Sequence, residues 1–224
     1  MGTAIVIGAG PGIGLSVARR VAREGMPVGA IARGESTVTS AVTALTGHPA
    51  HGVAVDATDE GALRGALDEI TERLGPAELL VYNAALIRAD TIGELTGEQQ
   101  LGAWAVNVVG AITAAAHLAP GMAQRGRGTI VITGGMPEPR AAYASLSLGK
   151  AGVRTLVTLL HETYGAAGVH AASVTVLGEV APGTAFDPDD IAEHYWRLHM
   201  QPRGTWEHEV RHGPEIGPSV GSEP

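Results

Sequence analysis

The chain has 224 residues, 45% of them apolar and 17% charged, with a net charge of −8. That composition favours one compact folded domain, and the acidic balance argues against a nucleic-acid partner, whose phosphates demand clustered Lys and Arg. Cysteine is absent, which excludes disulfides, thiolate metal sites and Cys nucleophiles; no window of about 18 apolar residues stands out, so no membrane span is expected.

The first strand-like run, Ala4–Ile7 within a segment opening at Thr3, leaves no room for a signal peptide, and a cytoplasmic location is the simplest expectation. Gly12–Arg23 reads as a helix, Val28–Ala32 as a second strand and Thr37–Leu45 as a second helix. Val53–Val55 is a third strand, Glu60–Arg73 a helix, and Leu79–Tyr82 a fourth strand. A long helix over Gly97–Arg125 precedes a fifth strand, Thr129–Thr133; a second long helix, Ala144–Ala166, precedes a sixth, Ala171–Val176. Pro188–Leu198 reads as a helix capped by Asp187, and Trp206–Val210 as a last short strand. Strands alternate with crossovers too long for hairpins, so the fold class is α/β: a doubly wound parallel sheet covered on both faces. Residues 1–212 form the domain, and the Gly, Pro and Ser content of 213–224 predicts a frayed tail.

Gly8-Ala9-Gly10-Pro11-Gly12-Ile13-Gly14 follows the first strand and opens the first helix. Glycines there permit a tight turn and close backbone approach, and the helix start offers free N–H groups to a pyrophosphate. The spacing is G-x-x-x-G-x-G, and with it the chain resembles the short-chain dehydrogenase/reductase family. Further matches fall in the family's order: Asp56-Ala57, resembling the pair beside the adenine; Tyr82-Asn83-Ala84-Ala85, resembling N-N-A-G; Asn107-Val108-Val109-Gly110, resembling N-x-x-G; Gly128–Thr133; Lys150-Ala151-Gly152; and Pro182-Gly183. The resemblance implies a Rossmann-type fold, a nicotinamide dinucleotide on Gly8, Gly12, Ile13, Gly14, Arg33, Asp56, Ala57, Asn83, Ala84, Lys150, Pro182 and Gly183, and assembly as a homo-oligomer through the two long helices.

An acidic residue ending the second strand would bind the ribose hydroxyls and repel a 2′-phosphate. This chain has Ala32-Arg33-Gly34 instead. The Arg33 guanidinium favours the phosphate, so NADP(H) is the expected cofactor, with NAD(H) as the alternative.

The family's catalytic set is a serine, a tyrosine, a lysine four residues after it, and an asparagine on the neighbouring helix. Asn107 and Lys150 match, but Leu146 occupies the tyrosine position and Thr133-Gly134-Gly135 replaces the serine region. Tyr143 is the candidate substitute phenol. It lies seven residues before Lys150, about 10 Å along a continuous helix, unless it sits outside the helix and folds back. Thr133 would supply the second hydroxyl only with a backbone shift. Only Thr184-Ala185-Phe186 separates Pro182-Gly183 from Asp187-Pro188, so no lid is foreseen unless the segment from Tyr195 to Trp206 covers the mouth.

His208-Glu209-Val210-Arg211-His212 matches the zinc pattern H-E-x-x-H, but on a strand residues four apart stand about 13 Å from each other and cannot share an ion. No metal site is expected, and His194 and His199 read as solvated. Gly149 is unusual inside a helix; it either permits close packing on cofactor or a neighbour or is a tolerated flexible position. The leading function is an NADP(H)-dependent oxidoreductase acting on a small-molecule carbonyl or alcohol. A non-redox enzyme on the same scaffold and a catalytically silent NADP(H)-binding protein are the alternatives.

Overall fold

The computed structural model describes residues 2–214; residues 215–224 of the expected frayed tail lie outside the described residues. Among the described residues, seven parallel strands, β1 (Thr3–Ile7), β2 (Val28–Ala32), β3 (Ala50–Ala54), β4 (Ala77–Tyr82), β5 (Gly128–Thr133), β6 (Val169–Val176) and β7 (Glu209–His212), lie in the order β3-β2-β1-β4-β5-β6-β7. The order turns back at β1, so the crevice between the β1 and β4 carboxyl ends is the place where this architecture accepts ligands.

Alternation along the strands builds two aliphatic cores. Ile5, Ile7, Leu80 and Ile130 face α3 (Glu60–Leu74), α5 (Gly110–Gln124) and α6 (Ala144–Tyr164). Ala4, Val6, Leu79, Val81 and Val174 face α1 (Ile13–Arg23), α2 (Glu35–Thr43) and α7 (Pro188–Met200). Every residue of β1, β5 and β6 is buried, as strands covered on both faces require.

Several expected boundaries move by a few residues. Strand β3 begins earlier, because its pairing with β2 starts at Val28 opposite Ala50. The last strand lies later than expected, because Trp206 leaves the sheet edge to stack on His170, with ring centroids 5.0 Å apart and planes 3° from parallel. Asp187 does cap α7, its carboxylate accepting the Asp189 N–H at 2.8 Å.

The long helix is two helices, α4 (Gly97–Trp104) and α5, fused through a π-turn over Ala105–Val109. Thr96 and Gln99 form a reciprocal capping box at its start. Contrary to the expectation of no apolar window, Gly97–Gln124 contains 18 residues with a mean hydropathy of 1.5. Half of that window is buried inside the fold, because its many alanines let α5 approach the sheet closely.

Candidate active site

The carboxyl ends of β1 to β4 open into a groove of about 390 Å³. Gly8, Gly10 and Pro11 line one side, Arg33, Gly34 and Thr37 another, and Asp56, Ala57 and the turn Asn83–Leu86 the floor and far wall. Helix α1 starts against this groove at Gly12 with no side-chain cap and no acidic residue in its first turn. Its free N–H groups and positive end therefore remain available to an anion.

Two glycines show why the loop has this spacing. Gly12 adopts φ 96°, a left-handed conformation that disfavours any side chain, and a β-carbon there would meet nothing within 4 Å. At Gly14 a β-carbon would lie 2.0 Å from the Gly8 carbonyl oxygen, so helix and turn can approach only without one. This cradle, together with an exposed Arg33 and the Asp56 carboxylate, fits a dinucleotide. The Asp56 carboxyl is held below its usual range by the Thr58 N–H and hydroxyl at 2.9 and 2.8 Å, aided by the charge of Arg33.

Lys150 is only 6% exposed, and its ammonium donates to the Thr133 carbonyl at 2.6 Å. Burial pulls its pKa down to about 8, since desolvation penalises the charged form. One turn later Arg154 donates to the carbonyls of Gly135 and Met136, both at 3.1 Å. The two cations of α6 thus pin the loop after β5, where Met136 is held at φ 46°, a strained setting for a side chain that costs about 1–3 kcal/mol. A β-carbon at Gly134 would lie 2.4 Å from the Thr175 hydroxyl, so glycine is required there by packing.

Asn107 sits in the π-turn and is 2% exposed. Its amide clasps the Leu86 backbone, accepting from the N–H at 2.8 Å and donating to the carbonyl at 3.3 Å. Gly149 is explained by this residue: a β-carbon there would come 2.8 Å from Asn107 Cβ. Gly110 has a matching reason, because a β-carbon would meet the Tyr82 hydroxyl at 2.3 Å, and that hydroxyl donates to the Val106 carbonyl at 2.6 Å. Asn-x-x-Gly is therefore a packing unit around the π-turn as well as a candidate catalytic element.

Tyr143 lies just outside α6 as its N-cap residue, with φ −141° and ψ 51°. Its backbone forms a parallel bridge with Asp90. Asp90, 2% exposed, ties the start of α6: its carboxylate accepts the Ser145 N–H at 2.8 Å and the Ser145 hydroxyl, and these bonds hold its carboxyl below the usual range. Tyr143 is half-buried, and its hydroxyl makes no hydrogen bond among the described residues. Leu146, in the position of the missing tyrosine, is 3% exposed. Thr133 is not a substitute serine, for its hydroxyl is already engaged with Asn83 at 2.9 Å and with Tyr195 at 2.6 Å.

Gly8, Arg33, Asp56, Ala57, Asn83 and Ala84 thus line one groove, with Gly12, Ile13 and Gly14 at the adjoining helix start. Pro182 and Gly183 are exposed beyond β6 and do not line it. The segment from Tyr195 to Trp206 does not cover the mouth. Helix α7 runs against the strand direction, bringing His199 to the Thr129 hydroxyl at 3.0 Å, at the opposite end of the sheet. His194 and His199 are half-buried and hydrogen-bonded rather than solvated, His194 to His212 at 2.9 Å. Tyr195, Asp90 and Arg154 carry no direct signal in the sequence, for their partners lie 62, 55 and 18–19 residues away.

A short chain dehydrogenase family model matches residues 2–185. Cis-4-hydroxycyclohexanecarboxylate dehydrogenase from Sinomonas cyclohexanicum is 32% identical over 195 residues, covering 83% of this chain and 74% of that protein. Sorbitol dehydrogenase from Cereibacter sphaeroides is 35% identical over 130 residues, 58% of this chain and only 50% of that protein, so the chain spans about half the length of some curated relatives it matches. A solved NADPH-bound short chain oxidoreductase from Pseudomonas aeruginosa PAO1, containing an atypical catalytic center, superposes with a TM-score of 0.88 at 22% identity, covering 97% of both chains. The matched length, the strand order and the glycine cradle agree: the chain belongs to the short-chain dehydrogenase/reductase family.

Proposed function

We propose that the protein is an NADP(H)-dependent oxidoreductase that interconverts a small-molecule carbonyl and alcohol. The observation that carries this reading is the groove, in which the uncapped α1 terminus, Arg33 and the Asn83–Leu86 turn face one volume of about 390 Å³. The α1 backbone would hold the diphosphate, Arg33 the 2′-phosphate, Asp56-Ala57 the adenine edge and Lys150 the nicotinamide ribose. When bound, the nicotinamide supplies or accepts the hydride.

The chain's own part is to place substrate and move one proton. An alkoxide formed without proton delivery is unstabilised, so a donor must stand at the substrate oxygen. Among nearby hydroxyls, those of Thr133, Ser145 and Ser147 are engaged with Asn83 and Tyr195, Asp90, and the Arg140 backbone respectively. The Tyr143 phenol, which makes no hydrogen bond among the described residues, is the one left to donate.

NADPH consumption over a panel of aldehydes and ketones tests this assignment. Turnover that falls about 10²- to 10⁴-fold in Tyr143→Phe supports it, and turnover unchanged in that variant removes Tyr143 from the mechanism. The buried Leu146 and the missing serine favour a second reading, a silent NADP(H)-binding protein, which cofactor binding without turnover of any panel member would support. Leu101, Trp104, Ile112, Leu148 and Leu159 are 71, 42, 43, 55 and 52% exposed along α4 to α6, which supports assembly of copies through these helices.

A further inference from the structure

We infer that Tyr195 is a positioning residue for the dinucleotide-binding turn, acting through Thr133 and Asn83; this rests on the groove being a dinucleotide site. The hydroxyl of Tyr195 lies 2.6 Å from Thr133 Oγ1, which lies 2.9 Å from Asn83 Oδ1, while Asn83 Nδ2 donates to the Gly8 carbonyl at 3.0 Å. The proton directions are forced. Because the Asn83 amide nitrogen faces Gly8, its oxygen faces Thr133 and can only accept. Thr133 therefore spends its single proton on Asn83, and Tyr195 must be the donor to Thr133. A phenol fully buried in α7, with its ionisation pushed well upward by desolvation, is a donor that does not lose its proton at working pH.

The chain ends where the cofactor begins. Gly8 and Asn83 both line the groove, and the Gly8 carbonyl is also the atom that leaves room only for a glycine at position 14. Thr133 has a second task, since its carbonyl receives the Lys150 ammonium. One residue at the end of β5 thus couples α7, the phosphate loop and the ribose-binding lysine, and hydrogen bonds in series strengthen one another in a dry interior. Removing the Tyr195 hydroxyl leaves the Thr133 oxygen without its donor and frees the Asn83 turn.

The test is NADPH titration of the full-length protein by calorimetry, with Tyr195→Phe, Thr133→Val, the double variant and Thr133→Ser. A neutral hydrogen bond contributes about 0.5–1.5 kcal/mol net, so Kd should rise roughly 2- to 13-fold in Tyr195→Phe. It should rise similarly in Thr133→Val, with no further rise in the double variant, and return to the original value in Thr133→Ser. Hydrogen exchange on cofactor-free protein gives an independent readout: amides of 83–86 should exchange faster in Tyr195→Phe while the β1 amides do not. Unchanged affinity, additive losses in the double variant, or faster exchange spread over the whole sheet would overturn the inference. If the unmodified protein binds no pyridine nucleotide, the cofactor reading fails, and the exchange result alone decides whether Tyr195 positions the turn.

Discussion

The ammonium of Lys150 and the carbonyl of Thr133 meet at 2.6 Å in the interior, with no salt bridge to the lysine among the described residues. Folding lowers the lysine pKa from 10.5 to about 8. The unfolded chain therefore binds more protons between these values, and stability should rise with pH across that window. The full difference corresponds to a cost on the order of 3 kcal/mol below pH 8. Lys150→Met should remove both the cost and the pH slope, raising Tm by several degrees at pH 7 while weakening cofactor binding. Thermal melts from pH 7 to 10 check this, and a variant less stable than the parent would contradict it.

Arg33 is exposed at the groove edge and is the only cation among the groove-lining residues. A charge-assisted bond to phosphate contributes about 1.5–3 kcal/mol. Arg33→Ala should therefore weaken NADPH roughly 10- to 100-fold and leave NADH within about twofold. Equal losses for both nucleotides would assign Arg33 a structural task instead.

Gly149→Ala carries a prediction whose sign reverses the usual one. Replacing a helical glycine by alanine ordinarily stabilises by about 1 kcal/mol. Here the new methyl would stand 2.8 Å from Asn107 Cβ, and such overpacking costs about 1–3 kcal/mol. Urea unfolding should show net destabilisation, accompanied by a looser Leu86 backbone in hydrogen exchange. A gain in stability would mean that Asn107 is free to move.

Leu146→Tyr restores a phenol four residues before Lys150. General-acid catalysis contributes about 10²–10⁴ in rate, so this substitution, introduced in the Tyr143→Phe background, should recover at least about tenfold in carbonyl reduction. No gain, in a variant that still folds and binds NADPH, would show that the neighbouring loop rather than the missing phenol limits turnover.

Much of this architecture was legible in the residues themselves. Alternation such as Ala4, Val6 against Ile5, Ile7 encodes which side of the sheet each residue faces, and the glycine run after β1 encodes a phosphate cradle through local sterics. In the zinc-like His208–His212 pattern, His208 precedes the strand Glu209–His212, and the two histidines meet different partners, the Ala171 carbonyl and His194. Contacts such as Tyr195 with Thr133 and Asp90 with Ser145, 62 and 55 residues apart, were not legible. Nothing local in a lone tyrosine or aspartate names a distant partner. The π-turn at Ala105–Val109 has no local signature either; it coincides with a contact from outside the helix, the Tyr82 hydroxyl donating to the Val106 carbonyl.

Isothermal titration of cofactor-free protein with NADPH and NADH examines the dinucleotide cradle most directly. The geometry of α1, Arg33 and Lys150 predicts saturable one-to-one binding, with NADPH at least about tenfold tighter than NADH. Absence of heat and of any thermal shift with either nucleotide would contradict the cradle, and tighter binding of NADH would contradict the role given to Arg33.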